Sequence, residues 1–438
     1  MMRSIRTRPA GHPSSPRGFS LLEIMIALAL GLLLSVGIIS LFGNTSRTNK
    51  LQDGLARLQE NGRFAITRME QDLRQAGTQY CSNNNGGSAS GTVVPVLPAR
   101  APMVYAKDIA LPDSTLHSID GSGNPTDEAA AAAYPLSPRW FVQGYSCTAA
   151  SCTPDLPSGT GQIPDMGLAE GKRVPAADVL TVRYQRGSGW PLAANACVLG
   201  KGDPLVSGTK ITVSPQTGDD PVGADVRLAL ISDCINPAIV PISASGPQMT
   251  VGDILPGATG AMCNGTGLRD MRLFDFSNDF VTVTYYLVFR ADDNPDARPN
   301  AGSARLVPVL VRRENGVEQE LVRGVDQLVF RYGVQDATGN MRFLTATEVQ
   351  SFATCAPPPA GMQLEPGCAW RSVRTIEPHL LLNTVDEIAG LDDASRTYRF
   401  DGESFTKGQD ELLPSGLKHG SQIRREFISY ISSRATNL

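Results

Sequence analysis

A chain of 438 residues that is 41% hydrophobic can bury a sizeable core, enough for two or three folding units. Its 39 Lys and Arg against 43 Asp and Glu leave a formal charge of −4, and no basic stripe follows the first eighteen residues, which argues against nucleic acid as a partner. No HExxH, Walker A, GxGxxG or GxSxG run is present, so neither catalysis nor a cofactor or metal is expected.

Residues 1–18 hold Arg3, Arg6, Arg8 and Arg17 and no acid, so their removal takes the charge from −4 to −4 − 4 = −8. Phe19 to Phe42 is then a run of 24 residues whose only ionisable side chain is Glu23. As a helix it covers roughly 36 Å, enough to cross a bilayer. Three readings compete for it: a Sec signal peptide, a plain transmembrane anchor and a type IV prepilin leader. A Sec signal has an apolar stretch of only about 7 to 15 residues ending in small residues, whereas this run leads into Ser40-Leu41-Phe42-Gly43-Asn44. A plain anchor accounts for the length and the basic flank but gives no reason for a carboxylate inside the run.

Arg17-Gly18-Phe19-Ser20-Leu21-Leu22-Glu23, followed by an unbroken apolar helix, resembles the cleavage site of prepilin peptidase substrates. The resemblance implies a cut after Gly18 on the cytoplasmic side by an inner-membrane aspartic protease. Phe19 becomes the N-methylated first residue, and the helix is retained as anchor and assembly stem. Glu23 has a physical rationale in the same scheme. A carboxylate in the first turn faces the positive end of the helix macrodipole, and the α-amine freed by the cut can neutralise it, on the same subunit or a neighbour. That position costs far less than the ~2.5–3.5 kcal/mol of a charge at mid-membrane.

Beyond Phe42 the spacing of Leu51, Leu55, Leu58, Ile66, Met69 and Leu73 by threes and fours or their multiples predicts an amphipathic continuation of the helix. Gly77 reads as its stop, with Arg74 in the final turn where a cation is favoured. Asn61-Gly62 is unusual inside a helix and is read as a bend. Gln59 to Ala65, Met69, Asp72-Leu73-Arg74 and Ala76-Gly77 are similar to the second half of the stem in pilins of the PilW family.

From Thr78 onward the pattern turns to short β-rich runs between Gly, Pro, Ser and Asn. Loops are expected at residues 82–92, at 120–138 with its alanine run Ala129 to Ala133, and at 148–174. Strands are expected at Asp178 to Arg186, Asp225 to Ser232, Phe280 to Arg290, Ala304 to Arg313 and Val317 to Arg323, with antiparallel pairing as the default. Asn315-Gly316 between two apolar runs is a strong hairpin signal. Leu321 to Gly333 and Arg424-Arg425-Glu426-Phe427 again resemble the PilW family, while Ser433-Arg434-Ala435 departs from its more usual Leu-Arg-Asn ending. Residues 78–300 match no family pattern and are longer than a bare pilin head requires.

Eight cysteines, Cys81, Cys147, Cys152, Cys197, Cys234, Cys263, Cys355 and Cys368, lack CxxC pairs, and their even count fits disulfides in an exported domain. Cys147 with Cys152 and Cys355 with Cys368 can close small loops, and Cys197 with Cys234 can join neighbouring strands; connectivity stays open. His12 leaves with the leader, and His117, His379 and His419 stand far apart, as ordinary surface or core residues do. Asp292-Asp293-Asn294-Pro295-Asp296 begins like a calcium loop, but Ala297 stands for its glycine and Ser303 for its closing glutamate, so a solvated acidic turn is expected.

The fold class read from these features is α+β, a long N-terminal pilin helix carrying a large antiparallel β-rich head with long loops. The divisions are leader 1–18, transmembrane half 19–43, amphipathic half 44–77, head 78–300 and C-terminal region 301–438. The resemblance implies a minor pilin, not an enzyme, that primes type IV pilus assembly at or near the tip and supports twitching motility and adhesion. Its implied partners are prepilin peptidase, other minor pilins, the major pilin, a tip adhesin and the inner membrane. The head would be periplasmic before assembly and on the pilus after it. A J-type minor pseudopilin of type II secretion and a pilin-anchored adhesin or binding protein are the alternatives.

Overall fold

The computed structural model describes residues 18–78, 102–107, 109, 118–119, 125–126, 133–136, 138–157, 162–193, 206–215, 223, 225–232, 237–255, 271–292, 305–335, 340–352, 370, 373–388, 397–406 and 421–433. The chain divides into two units, one ending at Gly54 and one beginning at Leu55.

Helix α1 runs unbroken over Leu21–Leu73. In the first unit its apolar side chains are exposed all round, from Leu21 at 78% to Phe42 at 71%. A helix with no polar face has nothing to turn toward water, which is the pattern of a bilayer span.

In the second unit the same helix becomes one-sided. Leu58, Gly62, Ala65, Met69, Asp72 and Leu73 are buried, a stripe spaced by threes and fours. Leu58, Met69 and Leu73 match the expected apolar face, and Ile66 packs partly buried against the same core. After Leu73 the chain tightens through two three-residue-spaced bonds, Gln75 N to Asp72 O and Ala76 N to Leu73 O. It turns at Gly77 with φ +73°, so the expected stop holds. Arg74 lies just past the helix and pairs with Glu70.

Strands β1 (Val142–Cys147), β2 (Val179–Gln185), β3 (Phe280–Ala291), β4 (Leu306–Glu314) and β5 (Val317–Arg323) form a six-stranded antiparallel sheet in the order β5-β4-β3-β2-β1, closed at its far edge by the short strand Cys152–Thr153. Strands β6 (Val325–Gln335), β7 (Val373–Asn383) and β8 (Arg424–Ile428) form a second antiparallel sheet with Met341–Leu344 on the outer side of β6. Ile431–Ser432 continues along β7 beyond β8. One apolar core joins Leu58, Ala65, Met69 and Leu73 of α1 to Val182, Val283, Leu287 and Leu310 of the first sheet and Leu328, Phe330, Leu380 and Leu382 of the second. The division expected between 300 and 301 falls between the paired strands β3 and β4.

The chain passes from the first sheet to the second through Gly324, at φ +82°, where a Cβ would meet Asn383 Oδ1 and Val385 Cγ2 at 2.7 Å. Only glycine tolerates both the left-handed backbone and that approach. Asp178 ties the sheets together, accepting from Cys147 N at 2.9 Å and Phe330 N at 3.1 Å. Burial pushes its carboxyl up to about 7, against the two backbone bonds that favour the anion.

An eight-stranded sheet built from residues 103–275 has its own core, with Trp190, Ile211, Ala229, Val240 and Met249 on one side and Trp140, Leu230, Ile239 and Phe274 on the other. One of its pairs, Met103–Val104 with Ala238–Ile239, is parallel, a departure from the antiparallel default. The expected loop at 120–138 contains Pro125–Thr126 and Tyr134–Pro135, and that at 148–174 contains Cys152–Thr153, all strands of two residues. Runs so short carry too little alternation to be read from sequence. The expected loop 82–92 lies outside the described residues. All five expected strands are present, the second shortened to Leu228–Ser232. The hairpin turn is Asn315 at φ +46° and Gly316 at φ +86°, the two left-handed residues of a type I′ turn.

Gly62, expected to mark a bend, has a packing reason of its own. The helix continues through it, and a Cβ on Gly62 would collide with the ring of Phe427 on β8. Gly62→Val is therefore expected to destabilise the second unit by about 1–3 kcal/mol through overpacking, read as a lowered denaturation midpoint of full-length protein in detergent. Phe427→Ala in the same background should recover part of that loss.

Candidate functional site

Two places on α1, one at each end, carry features singled out in the sequence. At the start of α1, Ser20 caps the helix: Glu23 N donates to Ser20 Oγ at 3.2 Å and to Ser20 O at 3.0 Å, and Ile24 N donates to Ser20 O at 3.2 Å. Ser20-Leu21-Leu22-Glu23 has the S-x-x-E spacing of a capping box, a signal that went unread beneath the cleavage-site resemblance. Gly18 and Phe19 precede the helix and are exposed, and a Cβ on Gly18 would meet nothing within 4 Å. Glu23, exposed in the first turn, adds its charge at the positive end of the helix.

The second place is at the other end of α1. Asp72 Oδ1 accepts from Tyr184 Oη at 2.8 Å and from Arg312 Nη2 at 3.1 Å, while Oδ2 accepts from Tyr285 Oη at 2.5 Å and Arg312 Nε at 2.6 Å. Both ionic side chains are 3% exposed. Burial alone would raise the Asp72 pKa, but the bonds from Arg312 and Tyr285 outweigh it and hold the carboxyl below its ordinary 3.8. Burial and the neighbouring anion push Tyr184 up to about 12 and Tyr285 well above its ordinary value. The network runs outward through Arg312 Nη1 to Glu314 at 2.6 Å and Glu314 to Arg186 at 2.8 Å. Sequence reading placed Asp72 only in a family-like segment. Its position on the buried stripe beside Leu73 was the available signal, since a carboxylate there requires a cation.

Around this pair the helix end is stitched to the sheets. Gly77 N donates to Arg183 O and Gln185 N to Thr78 O, both at 2.9 Å. The Ser433 hydroxyl donates to Ala76 O at 2.7 Å, a buried cap on a carbonyl just past the helix. Arg424 Nε donates to Asp326 Oδ2 at 2.8 Å and Asn383 Nδ2 to Oδ1 at 2.6 Å, with the Arg424 and Asp326 side chains 4% and 2% exposed. The segments that looked family-like, at 59–77, 321–333 and 424–427, thus meet one another through Gly62–Phe427 and Asp326–Arg424.

Of the other singled-out residues, Cys147 and Cys152 are joined in a disulfide; Cys81, Cys197, Cys234, Cys263, Cys355 and Cys368 lie outside the described residues, as do the leader up to Arg17, His117 and His419. Asp292 forms an ion pair with Arg305 at 2.6 Å, and the rest of the calcium-like stretch, 293–300, is not among the described residues. His379 is a buried hub, with Nδ1 2.8 Å from Glu426 Oε1 and Nε2 3.3 Å from Glu377 Oε1. Among the described residues no group of three or more His, Cys, Asp or Glu is arranged to hold a metal ion.

Family models match the chain at both ends. Residues 290–434 match the type IV pilus-assembly protein W family, and residues 14–39 match the prokaryotic N-terminal methylation motif. Together they support a PilW-type pilin. Comparison with curated proteins and with solved structures finds no match. The C-terminal match contains Arg312, Asp326, Arg424, Phe427 and Ser433, so it spans residues that meet α1 or its C-terminal end. The methylation match contains Gly18, Phe19 and Glu23. The eight-stranded sheet lies outside both.

Replacing the Asp72 carboxylate by an amide leaves Arg312 buried with its principal counter-charge gone. Asp72→Asn is expected to cost about 3–5 kcal/mol, measured by denaturant unfolding of the full-length protein in detergent. Asp72→Asn with Arg312→Met should recover much of it. Because the folded pKa is depressed, the contribution is fully present above pH 3.8 and is lost as pH falls through the lower folded value. The Asp72→Asn protein should lack that step in its acid-stability profile.

Proposed function

We propose that this pilin takes part in priming type IV pilus assembly, as a minor subunit at or near the filament tip that supports twitching motility and adhesion. The observation that carries the reading is the junction at Gly18. Neither packing nor backbone conformation within the described residues calls for a glycine there, while the helix that follows is capped at once and apolar on every side. A residue not needed by the fold, placed before a bilayer-length helix, fits a requirement imposed by the prepilin peptidase. The methylation-motif match over the same residues supports this.

In this reading the peptidase cuts after Gly18 at the inner membrane, the new α-amine on Phe19 is methylated, and α1 stays in the bilayer with the head in the periplasm. When the subunit docks onto other minor pilins or the major pilin, Glu23 meets an α-amine of its own or a neighbouring chain, and moving both charges together is cheaper than moving either alone. The match at 290–434 favours the pilus over a J-type pseudopilin of type II secretion. An adhesive role is favoured by one further observation: the eight-stranded sheet is a separately cored addition outside the family matches.

Mass spectrometry of the N-terminal peptide from the membrane fraction should find N-methyl-Phe19 as the first residue; a peptide still carrying residues 1–18 in wild-type cells would refute processing. Glu23→Val should be cut normally, as seen by immunoblot, yet reduce surface piliation and twitching severely when it replaces the wild type. Normal piliation in that strain would rule out the docking role.

A further inference from the structure

The outer edge of the six-stranded sheet holds a buried cation beside a disulfide. Cys147 at the end of β1 and Cys152 oppose each other across an antiparallel pair, around a turn closed by Thr148 N donating to Ser151 O at 2.8 Å. Arg173, only 3% exposed, places Nη1 3.5 Å from Cys147 Sγ and Nη2 3.3 Å from Cys152 Sγ. Its Nε has no hydrogen-bond partner. The surroundings are apolar, with Tyr145, Ile163, Val179, Tyr286 and Val288 in one cluster with Cys152. Among the described residues no carboxylate is hydrogen-bonded to the guanidinium; Asp165 contributes only a Coulombic attraction that does not offset the effect of burial.

Disulfide sulfurs are neutral and weak acceptors, so in the oxidised state a desolvated guanidinium faces atoms that compensate it poorly. A thiolate at either sulfur would supply the missing anion, and a cation at this distance favours thiolate over thiol. A passive staple needs no such cation. We propose that Cys147–Cys152 is a thiol–disulfide exchange site whose partner is a dithiol, with Arg173 as the positioning residue that holds the released thiolate.

The two sulfurs are inequivalent, since Cys152 is buried and Cys147 is half-buried at the edge. One thiolate of the dithiol attacks Cys147 Sγ. The S–S bond breaks with its electron pair leaving on Cys152 Sγ, beside Arg173 Nη2, and a mixed disulfide forms at Cys147. The second thiol of the dithiol loses its proton to solvent and displaces Cys147 Sγ, which takes up a proton. The dithiol ends as its own disulfide, Cys147 as a thiol and Cys152 as a thiolate, a two-electron reduction that reverses when an oxidised partner is in excess.

The test equilibrates full-length protein in detergent micelles with graded mixtures of reduced and oxidised dithiothreitol, traps thiols by alkylation and quantifies the peptides carrying Cys147 and Cys152. Arg173→Met should shift the exchange equilibrium at least tenfold toward the disulfide, and Arg173→Lys should restore most of the difference. An unchanged midpoint in folded Arg173→Met protein would overturn the proposal. A second measurement needs no variant: in the reduced wild type, the alkylation rate of Cys152 against pH should reach half its maximum well below the ~8.5 of a free thiol. Titration at or above that value would also overturn it.

Discussion

An aspartate on the buried stripe of a helix cannot stay ionised in an apolar core without a cation, and Asp72 obtains one from Arg312 on β4 across 240 positions of sequence. The bidentate guanidinium defines both the depth and the rotation of α1, because two parallel bonds fix an orientation that a single contact does not. Tyr184 and Tyr285 occupy remaining acceptor sites on the carboxylate and bring β2 and β3 to the same point. One carboxylate thus draws three adjacent strands onto the last turn of the helix, and removal of any single partner leaves the others with a worse arrangement.

The rest of the second unit is organised around that attachment. Below the ion pair, Leu58, Ala65 and Met69 fill the core shared by the two sheets, and the ring of Phe427 occupies the space that Gly62 leaves open. Gly324 carries the chain from one sheet to the other, and Asp326, two residues later, receives Arg424. The absence of a side chain at Gly62 lets β8 approach the helix, and Ser433, farther along the chain, closes over the Ala76 carbonyl at the helix end. The family match therefore covers a set of residues coupled by contact. The eight-stranded sheet has separate cores and makes none of the contacts described at the helix end.

Sequence alone determined the elements whose physics is local. The bilayer-length run with one carboxylate, the helical stripe through Leu73, the stop at Gly77, the hairpin at Asn315-Gly316 and strands β2 to β5 all follow from hydropathy period and turn chemistry over a few residues, whereas β6 and β7, each of 11 residues, were not read as strands. The five-residue separation of Cys147 and Cys152 likewise allowed the loop they close, without fixing the connectivity. Only the tertiary structure decided what Asp72, Gly62, Arg173 and His379 are for. Each is explained by a partner far away in sequence or on another strand: Arg312, Phe427, the paired sulfurs, and Glu426. A carboxylate in a helix reads the same whether it faces water or a guanidinium, and a helical glycine reads as a bend whether or not a ring fills its place. Burial separates these cases, and burial depends on strands that come together from opposite ends of the chain.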